Sequence, residues 1–326
     1  MKLFKGKTIL ITGGAGSLGK VLCKKLHHVG AKVIAFSRDE CKHFLLKESI
    51  PSIKTVIGDV RDFEKINQTC AFYKPDYIIH AAALKRINDM EMSPDECVKT
   101  NIEGSQNVAR SALYNNVKKC ILISTDKACE PVNVYGSSKF IAERIFTNFD
   151  FHNDNYNTIF SSVRYGNVIA SRGSFIPLFM DKIRDKETIR VTSEKMTRFL
   201  FTLKDASSAV LNALIHSAGG EVFVPQINSY TLPLCISALE KILGEKAKTI
   251  VSGLRPGEKL HEDMLSITEL PFTYKVPDAD LLQIRPQYTN KTHQDFNKYT
   301  GSHFNSKLWI QNEIDPLVSL IKTGLL

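Results

Sequence analysis

A glycine-rich turn near the start of the chain is the feature that most constrains the fold. Thr8–Thr12 is a short, largely β-branched run, and Gly13, Gly16 and Gly19 follow it at intervals of three before an amphipathic stretch. Glycine lets such a turn be tight, lets backbone N–H groups approach a pyrophosphate, and lets the next helix pack on the sheet. A helix N-terminus also favours negative charge. This order of strand, turn and helix predicts a Rossmann-type, doubly wound α/β fold that binds a dinucleotide at Gly13, Gly16, Ser17, Leu18 and Gly19.

The first 165 residues repeat the alternation of β-branched runs and amphipathic stretches, which is typical of βα units around a parallel sheet. Strands are predicted at Thr8–Thr12, Lys32–Phe36, Lys54–Ile57, Tyr77–Ala81, Lys119–Ser124 and Thr158–Arg164. Helices are predicted at Leu18–Val29 and at Pro94–Asn115, the second with Ser93 as its N-cap.

The alternation loosens after Gly166, although helices are still expected at Asp205–His216 and Pro233–Leu243. We therefore expect a dinucleotide-binding domain over 1–170, with a returning segment near 200–225, and a smaller substrate lobe over 171–326. Ligands of a doubly wound sheet bind at the carboxyl ends of its strands. A lobe placed there would close over the cofactor and supply specificity.

The composition indicates whether nucleic acids, metals or membranes are expected as partners. The formal net charge is +9, but the basic residues are dispersed, which favours a small dianionic substrate over a nucleic acid. Seven cysteines form no C-x-x-C pair, and no histidine stands at metal spacing, so reduced thiols and no metal are expected. No apolar run approaches the roughly 18 residues of a membrane span. The sequence thus predicts a soluble, cytoplasmic protein with neither a membrane nor a nucleic-acid partner.

The end of the second predicted strand indicates which dinucleotide is bound. NAD enzymes usually place an acidic residue there, whereas Ser37 and Arg38 follow Phe36 in this chain. A guanidinium suits a 2′-phosphate, so NADP is favoured, but Asp39 could still hold a ribose hydroxyl and NAD stays open. Asp59 and Val60 fit an adenine contact, while Ala81 and Ala83 would let the cofactor approach the backbone or would simply pack in the core.

Two neighbouring motifs indicate acid–base chemistry. Tyr135 and Lys139 are four residues apart, which places both side chains on one helical face. A lysine ammonium beside a phenol is expected to lower its pKa and make it a base for a sugar hydroxyl. Asp126 and Lys127 end the fifth predicted strand, where a simple dehydrogenase or 4-epimerase would need only a hydroxyl.

The segment Ser124–Lys139 resembles the signature of UDP-N-acetylglucosamine 4,6-dehydratases of the extended short-chain dehydrogenase/reductase superfamily. Further blocks resemble the same family in the same order: His80–Lys85, Thr100-Asn101, Arg164–Val168, Ser171–Ser174, Met196–Phe199 and Arg255–Glu262. The resemblance covers roughly residues 7 to 265. Ala15 and Asn88 depart from the residues common in the family.

The resemblance implies a polysaccharide-biosynthesis lyase that uses NADP. Oxidation at C4 of the sugar would acidify the C5 proton; Asp126 would protonate the departing C6 hydroxyl and Lys127 would remove the C5 proton. Tyr135 would take the C4 hydroxyl proton, while Lys139 would tune Tyr135 and hold the nicotinamide ribose. Relatives that retain configuration at C5 tend to be membrane-anchored and to carry methionine at the position of Tyr135. The resemblance therefore implies inversion at C5 and a 4-keto-6-deoxy-L-arabino product.

The resemblance also implies the remaining site residues and the assembly. Asn101 would contact the cofactor, and the substrate would lie against Lys85, Thr125, Asn167, Arg172, Arg198, Arg255 and Glu258. Any of these charged side chains alone could equally be a surface residue. A homo-oligomer, either a dimer or a hexamer, is expected. The alternatives are a GDP-sugar 4,6-dehydratase or a 4-epimerase of the same fold, or a non-catalytic NADP-sensing scaffold.

Overall fold

The computed structural model describes residues 1–152, 157–171, 173–288 and 292–325. In chain order, its strands are β1 (Thr8–Thr12), β2 (Lys32–Ser37), β3 (Lys54–Ile57), β4 (Tyr77–His80), β5 (Lys119–Ile123), β6 (Ile159–Val163), β7 (Asn167–Val168), β8 (Thr188–Val191), β9 (Thr197–Phe201), β10 (Val222–Pro225), β11 (Ser229–Thr231), β12 (Lys248–Val251), β13 (Asp263–Leu265), β14 (Thr273–Lys275), β15 (Leu281–Ile284) and β16 (Phe304–Asn305).

The α-helices, also in chain order, are α1 (Ser17–His28), α2 (Glu40–Ser49), α3 (Phe63–Tyr73), α4 (Ile87–Met92), α5 (Pro94–Cys97), α6 (Gly104–Tyr114), α7 (Val134–Phe151), α8 (Phe175–Arg184), α9 (Leu203–His216), α10 (Leu232–Leu243) and α11 (Ile314–Leu325). Short 3₁₀ turns lie at Lys2–Phe4, Asp126–Ala128 and Leu270–Phe272, and a π-helical turn lies at Val98–Glu103. None of the helices in the described ranges is both long and apolar enough to cross a bilayer.

A mostly parallel sheet forms the centre of the molecule. In the described part of the chain it has nine strands in the order β14-β15-β10-β6-β5-β4-β1-β2-β3, and only β14 and β15 run antiparallel to their neighbours. Helices cover both faces, so its strands are continuous apolar runs, as in β1, where Ile9, Leu10 and Ile11 are buried. The strand order reverses between β1 and β4, and a crevice for a ligand is expected at their carboxyl ends.

The predicted fold class and the main elements are confirmed. Each of the six predicted strands is present and ends within one residue of its predicted bounds. The predicted helix Pro94–Asn115 is instead α5, the π-helical turn and α6 in succession. Ser93 occupies the predicted N-cap position of α5, but its side chain makes no capping hydrogen bond.

A second apolar core lies in the C-terminal half of the chain, but part of that half joins the main sheet. Helices α8, α10 and α11 pack together through buried residues such as Ile176, Leu239 and Ile321. β14 and β15 fall within the range predicted for the substrate lobe, yet they extend the central sheet beyond β10. The physical reason is that β10 pairs with β6 on one side only, and the backbone of β15 satisfies the hydrogen-bonding groups of its other edge.

Candidate active site

The turn after β1 forms a cradle with no room for side chains. Gly13 has φ +69°, and a Cβ atom placed on it would lie 2.8 Å from the backbone of Ala81 and Ala82. A Cβ on Gly19 would collide with the carbonyl oxygens of Gly13 and Gly14. Both positions therefore require glycine, and α1 starts directly above the turn with Ser17 and Leu18.

A cavity of about 480 Å³ opens beside this cradle at the carboxyl ends of β1, β2 and β4. It brings together most of the predicted cofactor residues: Gly13, Gly16, Ser37, Arg38, Asp59, Val60, Ala81 and Ala83. Thr100 also lines it, and its buried Oγ1 has no hydrogen-bond partner among the described residues. A buried hydroxyl without a partner is costly, so a bound group is expected to supply one. The cavity thus fits a dinucleotide.

Charged side chains surround the far end of this cavity. Arg38 Nη1 lies 3.2 Å from Asp59 Oδ2, and Arg61 Nη2 lies 2.7 Å from the same oxygen. Asp39 forms an ion pair with Lys42 and accepts a hydrogen bond from the Lys42 N–H at 3.0 Å as the N-cap of α2. The Asp39 carboxylate is thus committed to protein groups, whereas Arg38 is largely exposed at the cavity wall.

Asn101 lies outside the cavity lining and binds protein groups instead. Its amide accepts from the Leu84 N–H at 2.8 Å and donates to the Leu84 carbonyl at 2.9 Å and to Ser138 Oγ at 2.9 Å. The side chain is fully buried. It therefore ties the loop after β4 to α7.

Helix α7 carries Tyr135 and Lys139 on successive turns. It begins at its N-cap Asn133, whose Oδ1 accepts from the Gly136 N–H at 2.7 Å. Burial lowers the pKa of Lys139 to about 8, against the opposing charge of Glu143. Burial also raises the pKa of Tyr135 to about 12, although a hydrogen bond with Thr125 and the charge of Lys127 act in the opposite direction. The expected lowering of the phenol pKa was therefore wrong for this structure, because burial outweighs the nearby positive charge.

Asp126 and Lys127 lie in the 3₁₀ turn that follows β5. Asp126 Oδ1 accepts from Thr125 Oγ1 at 2.8 Å and from Lys127 Nζ at 3.0 Å. Its Oδ2 is buried and has no hydrogen-bond partner in the part of the chain that the structure describes. Burial raises the pKa of Asp126, although Lys127 opposes this. A carboxyl with a raised pKa holds a proton more readily and is suited to donating it.

Lys127 has a second carboxylate neighbour that the sequence did not identify. Glu262 Oε1 lies 3.1 Å from Lys127 Nζ, and Glu262 is buried. Burial alone would lower the pKa of Lys127, but Asp126 and Glu262 together raise it. Glu262 closes the Arg255–Glu262 block, but sequence spacing gave no signal that it would reach a turn so far away in the chain.

The residues predicted to bind a nucleotide adjoin this pair. Arg198 Nε lies 3.7 Å from Glu262 Oε1, and Arg198 Nη2 lies 3.6 Å from Glu258 Oε1. Arg255 Nη2 lies 2.9 Å from that same Glu258 oxygen. A continuous polar path therefore runs from Tyr135 through Thr125, Asp126, Lys127, Glu262, Arg198 and Glu258 to Arg255.

Two of the other predicted substrate residues lie within the described ranges, and the third does not. Lys85 is exposed just before α4, and Asn167 lies in β7 with a buried Oδ1 that has no hydrogen-bond partner within the described ranges. Arg172 lies outside the described residues.

Close contacts hold the 3₁₀ turn Asp126–Ala128 and α7 against each other. A Cβ on Gly136 would collide with the Lys127 carbonyl oxygen, so these backbones touch. Arg164 is fully buried and donates to Glu143 of α7 at 2.8 Å and to Glu269 at 2.9 Å. Arg164 belongs to a block that resembles the family, but its two partners are distant in sequence and could not be identified from it. Arg164 thus links α7 to the segment that follows β13.

Comparison with known proteins finds a family, sequence relatives and a solved structure that are similar to this chain. The profile of a family described as polysaccharide biosynthesis protein matches residues 9–282. A UDP-N-acetylglucosamine 4,6-dehydratase (inverting) of Campylobacter jejuni is 42% identical over 84% of this chain and 81% of its own length. A UDP-glucose 4-epimerase of Rickettsia bellii is 41% identical over 82% of this chain and 80% of its own. The X-ray structure of Pen from Bacillus thuringiensis superposes with a TM-score of 0.90 at 33% identity, covering 99% of this chain and 98% of that one.

Proposed function

This chain belongs to the polysaccharide biosynthesis protein family, and from that premise we propose that it is a nucleotide-sugar 4,6-dehydratase, a hydro-lyase that acts on UDP-N-acetylglucosamine. Its cofactor is a nicotinamide dinucleotide, which fits the glycine cradle and the cavity beside it.

One observation carries the proposal: an Asp–Lys pair lies beside the Tyr135 phenol. Thr125 links them, because its hydroxyl bonds to Tyr135 and lies 2.8 Å from Asp126 Oδ1. Exchange of a proton at a single hydroxyl needs one acid–base group, whereas removal of water across C5 and C6 needs a base for one carbon and an acid for the leaving oxygen. The pair supplies these two additional groups.

We assign roles to side chains accordingly. A bound nicotinamide would provide the acceptor for the hydride from C4 of the sugar and later the donor of that hydride to C6. Tyr135 acts as a phenolate that accepts the proton of the C4 hydroxyl, and the Lys139 ammonium stabilises that phenolate before the transfer. Asp126 protonates the C6 hydroxyl as it leaves, and Lys127 removes the C5 proton, which the C4 ketone has acidified.

Arg198, Arg255 and Glu258 are assigned to the nucleotide end of the substrate. Guanidinium groups match phosphate oxygens bidentately, and Arg198 and Arg255 both lie against Glu258. Lys85, Asn167 and Arg172 complete the assigned substrate residues.

NADP is the proposed form of the cofactor. Arg38 lies at the cavity wall with most of its side chain exposed, where it can pair with a 2′-phosphate. Asp39 is already engaged by Lys42 and by the start of α2, which disfavours a role in holding the 2′-hydroxyl of NAD.

Inversion at C5, a homo-oligomeric state and a cytoplasmic location are also parts of this proposal. The tyrosine at position 135 and the relatives named as inverting support the stereochemistry. The free cysteines Cys23, Cys41, Cys70, Cys97, Cys120, Cys129 and Cys235 support a reducing compartment.

A UDP-hexose 4-epimerase is the second candidate, because the Rickettsia relative is named as one and is 41% identical. An epimerase would convert UDP-glucose into UDP-galactose and would leave the C6 hydroxyl in place. Asp126 and Lys127 would then have no proton transfer to perform.

The test is to incubate purified protein with UDP-N-acetylglucosamine or UDP-glucose, each with NADP or NAD. We expect a 4-keto product that absorbs in alkali, formed fastest from UDP-N-acetylglucosamine with NADP, and no lasting rise in reduced cofactor. A C4 epimer without a keto product would reject the dehydratase in favour of the second candidate.

A further inference from the structure

Glu262 is a buried carboxylate in direct contact with Lys127, the proposed base. We propose that Glu262 is a positioning residue that stabilises the ammonium form of Lys127 and so makes Lys127 the acceptor of the C5 proton. The inference rests on the proposed function and assigns a third member to its proton-transfer site.

The geometry around Lys127 Nζ supports this role. The amine lies 3.0 Å from Asp126 Oδ1 and 3.1 Å from Glu262 Oε1, and both carboxylates are almost completely buried. Two carboxylates around one amine favour its charged form, whereas burial alone disfavours that form. Lys127 therefore gains basicity from each of these neighbours.

The two carboxylates are not equivalent. Burial raises the pKa of Asp126, whereas for Glu262 the charges of Lys127 and Arg198 overcome burial and lower the pKa. Asp126 must also carry the proton that it gives to the leaving hydroxyl, and a protonated carboxyl brings no charge to the amine. Glu262 then supplies the negative charge that Asp126 lacks until the hydroxyl leaves.

The proton balance of the elimination depends on that charge. The Lys127 ammonium first passes a proton to the Asp126 carboxylate, 3.0 Å away, and becomes a neutral amine. The C5–H bond of the 4-keto sugar then breaks, its proton joins that amine, and its electron pair forms the C5=C6 double bond. The C6–O bond breaks, and the Asp126 proton joins the departing hydroxyl to give water. Lys127 ends as an ammonium and Asp126 as a carboxylate, while Glu262 stays a carboxylate throughout.

The backbone of Glu262 is fixed by the last part of the chain. Its N–H donates to Ser306 Oγ at 2.8 Å, and its carbonyl accepts from the Ser306 N–H at 2.8 Å. Ser306 Oγ also lies 2.6 Å from Thr197 Oγ1. The C-terminal residues thus hold Glu262 against a catalytic turn that lies in the first lobe.

Other charged groups face this cluster and must be considered in any pH profile. Arg198 of β9 lies 3.7 Å from Glu262 Oε1, and Glu258 lies 3.6 Å from Arg198. Lys259 acts on Glu262 from the same loop, and Tyr135 lies opposite Lys127 on α7. Removing the Glu262 charge leaves all of these groups unchanged.

The test compares Glu262→Gln with wild type by two measurements. In protein labelled with ¹³C at the lysine ε-carbons, we expect the Lys127 signal of wild type to remain in its ammonium form up to about pH 10.4, the ordinary lysine pKa. In Glu262→Gln, the midpoint of the Lys127 titration should lie at least about one pH unit below that of wild type, which is the size of the effect of a nearby charge. Lys127→Arg identifies the signal.

The second measurement is the pH profile of turnover with UDP-N-acetylglucosamine. The limb where kcat falls on acidification should move to lower pH in Glu262→Gln, because a base must be neutral to act. The plateau of kcat should drop tenfold to a hundredfold, on the scale of a weakened general base, with KM within about threefold. Glu187→Gln, which alters the surface pair Lys182–Glu187, should change neither measurement.

A Lys127 midpoint and an acid limb that both stay at their wild-type positions would overturn the inference. If Glu262→Gln does not fold, Glu262→Asp replaces it and should shift both measurements part of the way; no shift would again overturn it. Absence of dehydration by wild type would instead reject the proposed function, and the lysine titration would still decide whether Glu262 controls the charge of Lys127.

Discussion

Burial and neighbouring charges together set the pKa values of the side chains at this site. The same low-dielectric surroundings lower the pKa of Lys139 to about 8 and raise that of Tyr135 to about 12, whereas Lys127 keeps its charge because two carboxylates face it. The tyrosine–lysine spacing could be read from the sequence, and so could the Asp126-Lys127 pair. Their titration behaviour could not, because it depends on Glu262 and on how deeply each group is buried.

The substitution Tyr135→Phe tests the role proposed for the Tyr135 phenol. Removal of the phenolic oxygen eliminates the proposed acceptor of the C4 hydroxyl proton, so we expect turnover of UDP-N-acetylglucosamine to fall a hundredfold or more, with dinucleotide binding nearly unchanged. Initial rates and a fluorescence titration with NADPH measure the two effects. Tyr230→Phe removes another buried phenol, in the second lobe, and should leave the rate unchanged. Full-rate turnover by Tyr135→Phe would contradict the role given to the phenol.

At the element scale, the contact between the 3₁₀ turn Asp126–Ala128 and the first turn of α7 holds the proposed acid–base groups beside one another. Gly136 makes that contact possible because any Cβ there would meet the Lys127 carbonyl. Asn133 reinforces it by capping α7 and by donating to the Gly257 carbonyl at 2.8 Å. The helix and its start were predictable from local patterns, but the link to Gly257 was not, since it joins segments that are distant in sequence.

Gly136→Ala tests this contact. The added methyl group must push α7 away from the catalytic turn, so we expect turnover to fall at least tenfold. Overpacking of this kind should also lower the free energy of unfolding by about 1–3 kcal/mol. Urea denaturation and initial rates report both changes, and Ser137→Ala on the next residue is the matched control. An alanine variant as active and stable as that control would refute the proposed alignment.

On the scale of the whole molecule, one buried guanidinium joins the two halves of the chain. Arg164 follows β6, Glu143 lies in α7, and Glu269 lies beyond β13. Breaking a buried ion pair by removing one partner is strongly destabilising. The alternation of strands and helices predicted the central sheet, but it did not predict that β14 and β15 extend it or that residues 262–269 close the site. Those features depend on long-range packing that no local pattern encodes.

Glu269→Gln should lower the free energy of unfolding by about 3 kcal/mol at neutral pH. Burial alone would raise the pKa of Glu269, but Arg164 holds it below its usual value. The stability from this carboxylate is therefore present above its unfolded pKa of about 4.3 and is lost as the pH falls through the lower folded pKa. The difference between wild type and variant, measured by urea unfolding across pH, should shrink below about pH 4. A difference that stays constant on acidification would contradict the pairing.

We propose that a single site oxidises a nucleotide-linked hexose at C4, removes water across C5 and C6, and reprotonates C5. Proton NMR of the product formed from UDP-N-acetylglucosamine with NADP in heavy water tests it most directly. We expect the product to be a 4-keto-6-deoxy sugar with L-arabino configuration and deuterium at C5. Recovery of an intact hexose, or of its C4 epimer with the C6 hydroxyl still present, would contradict it.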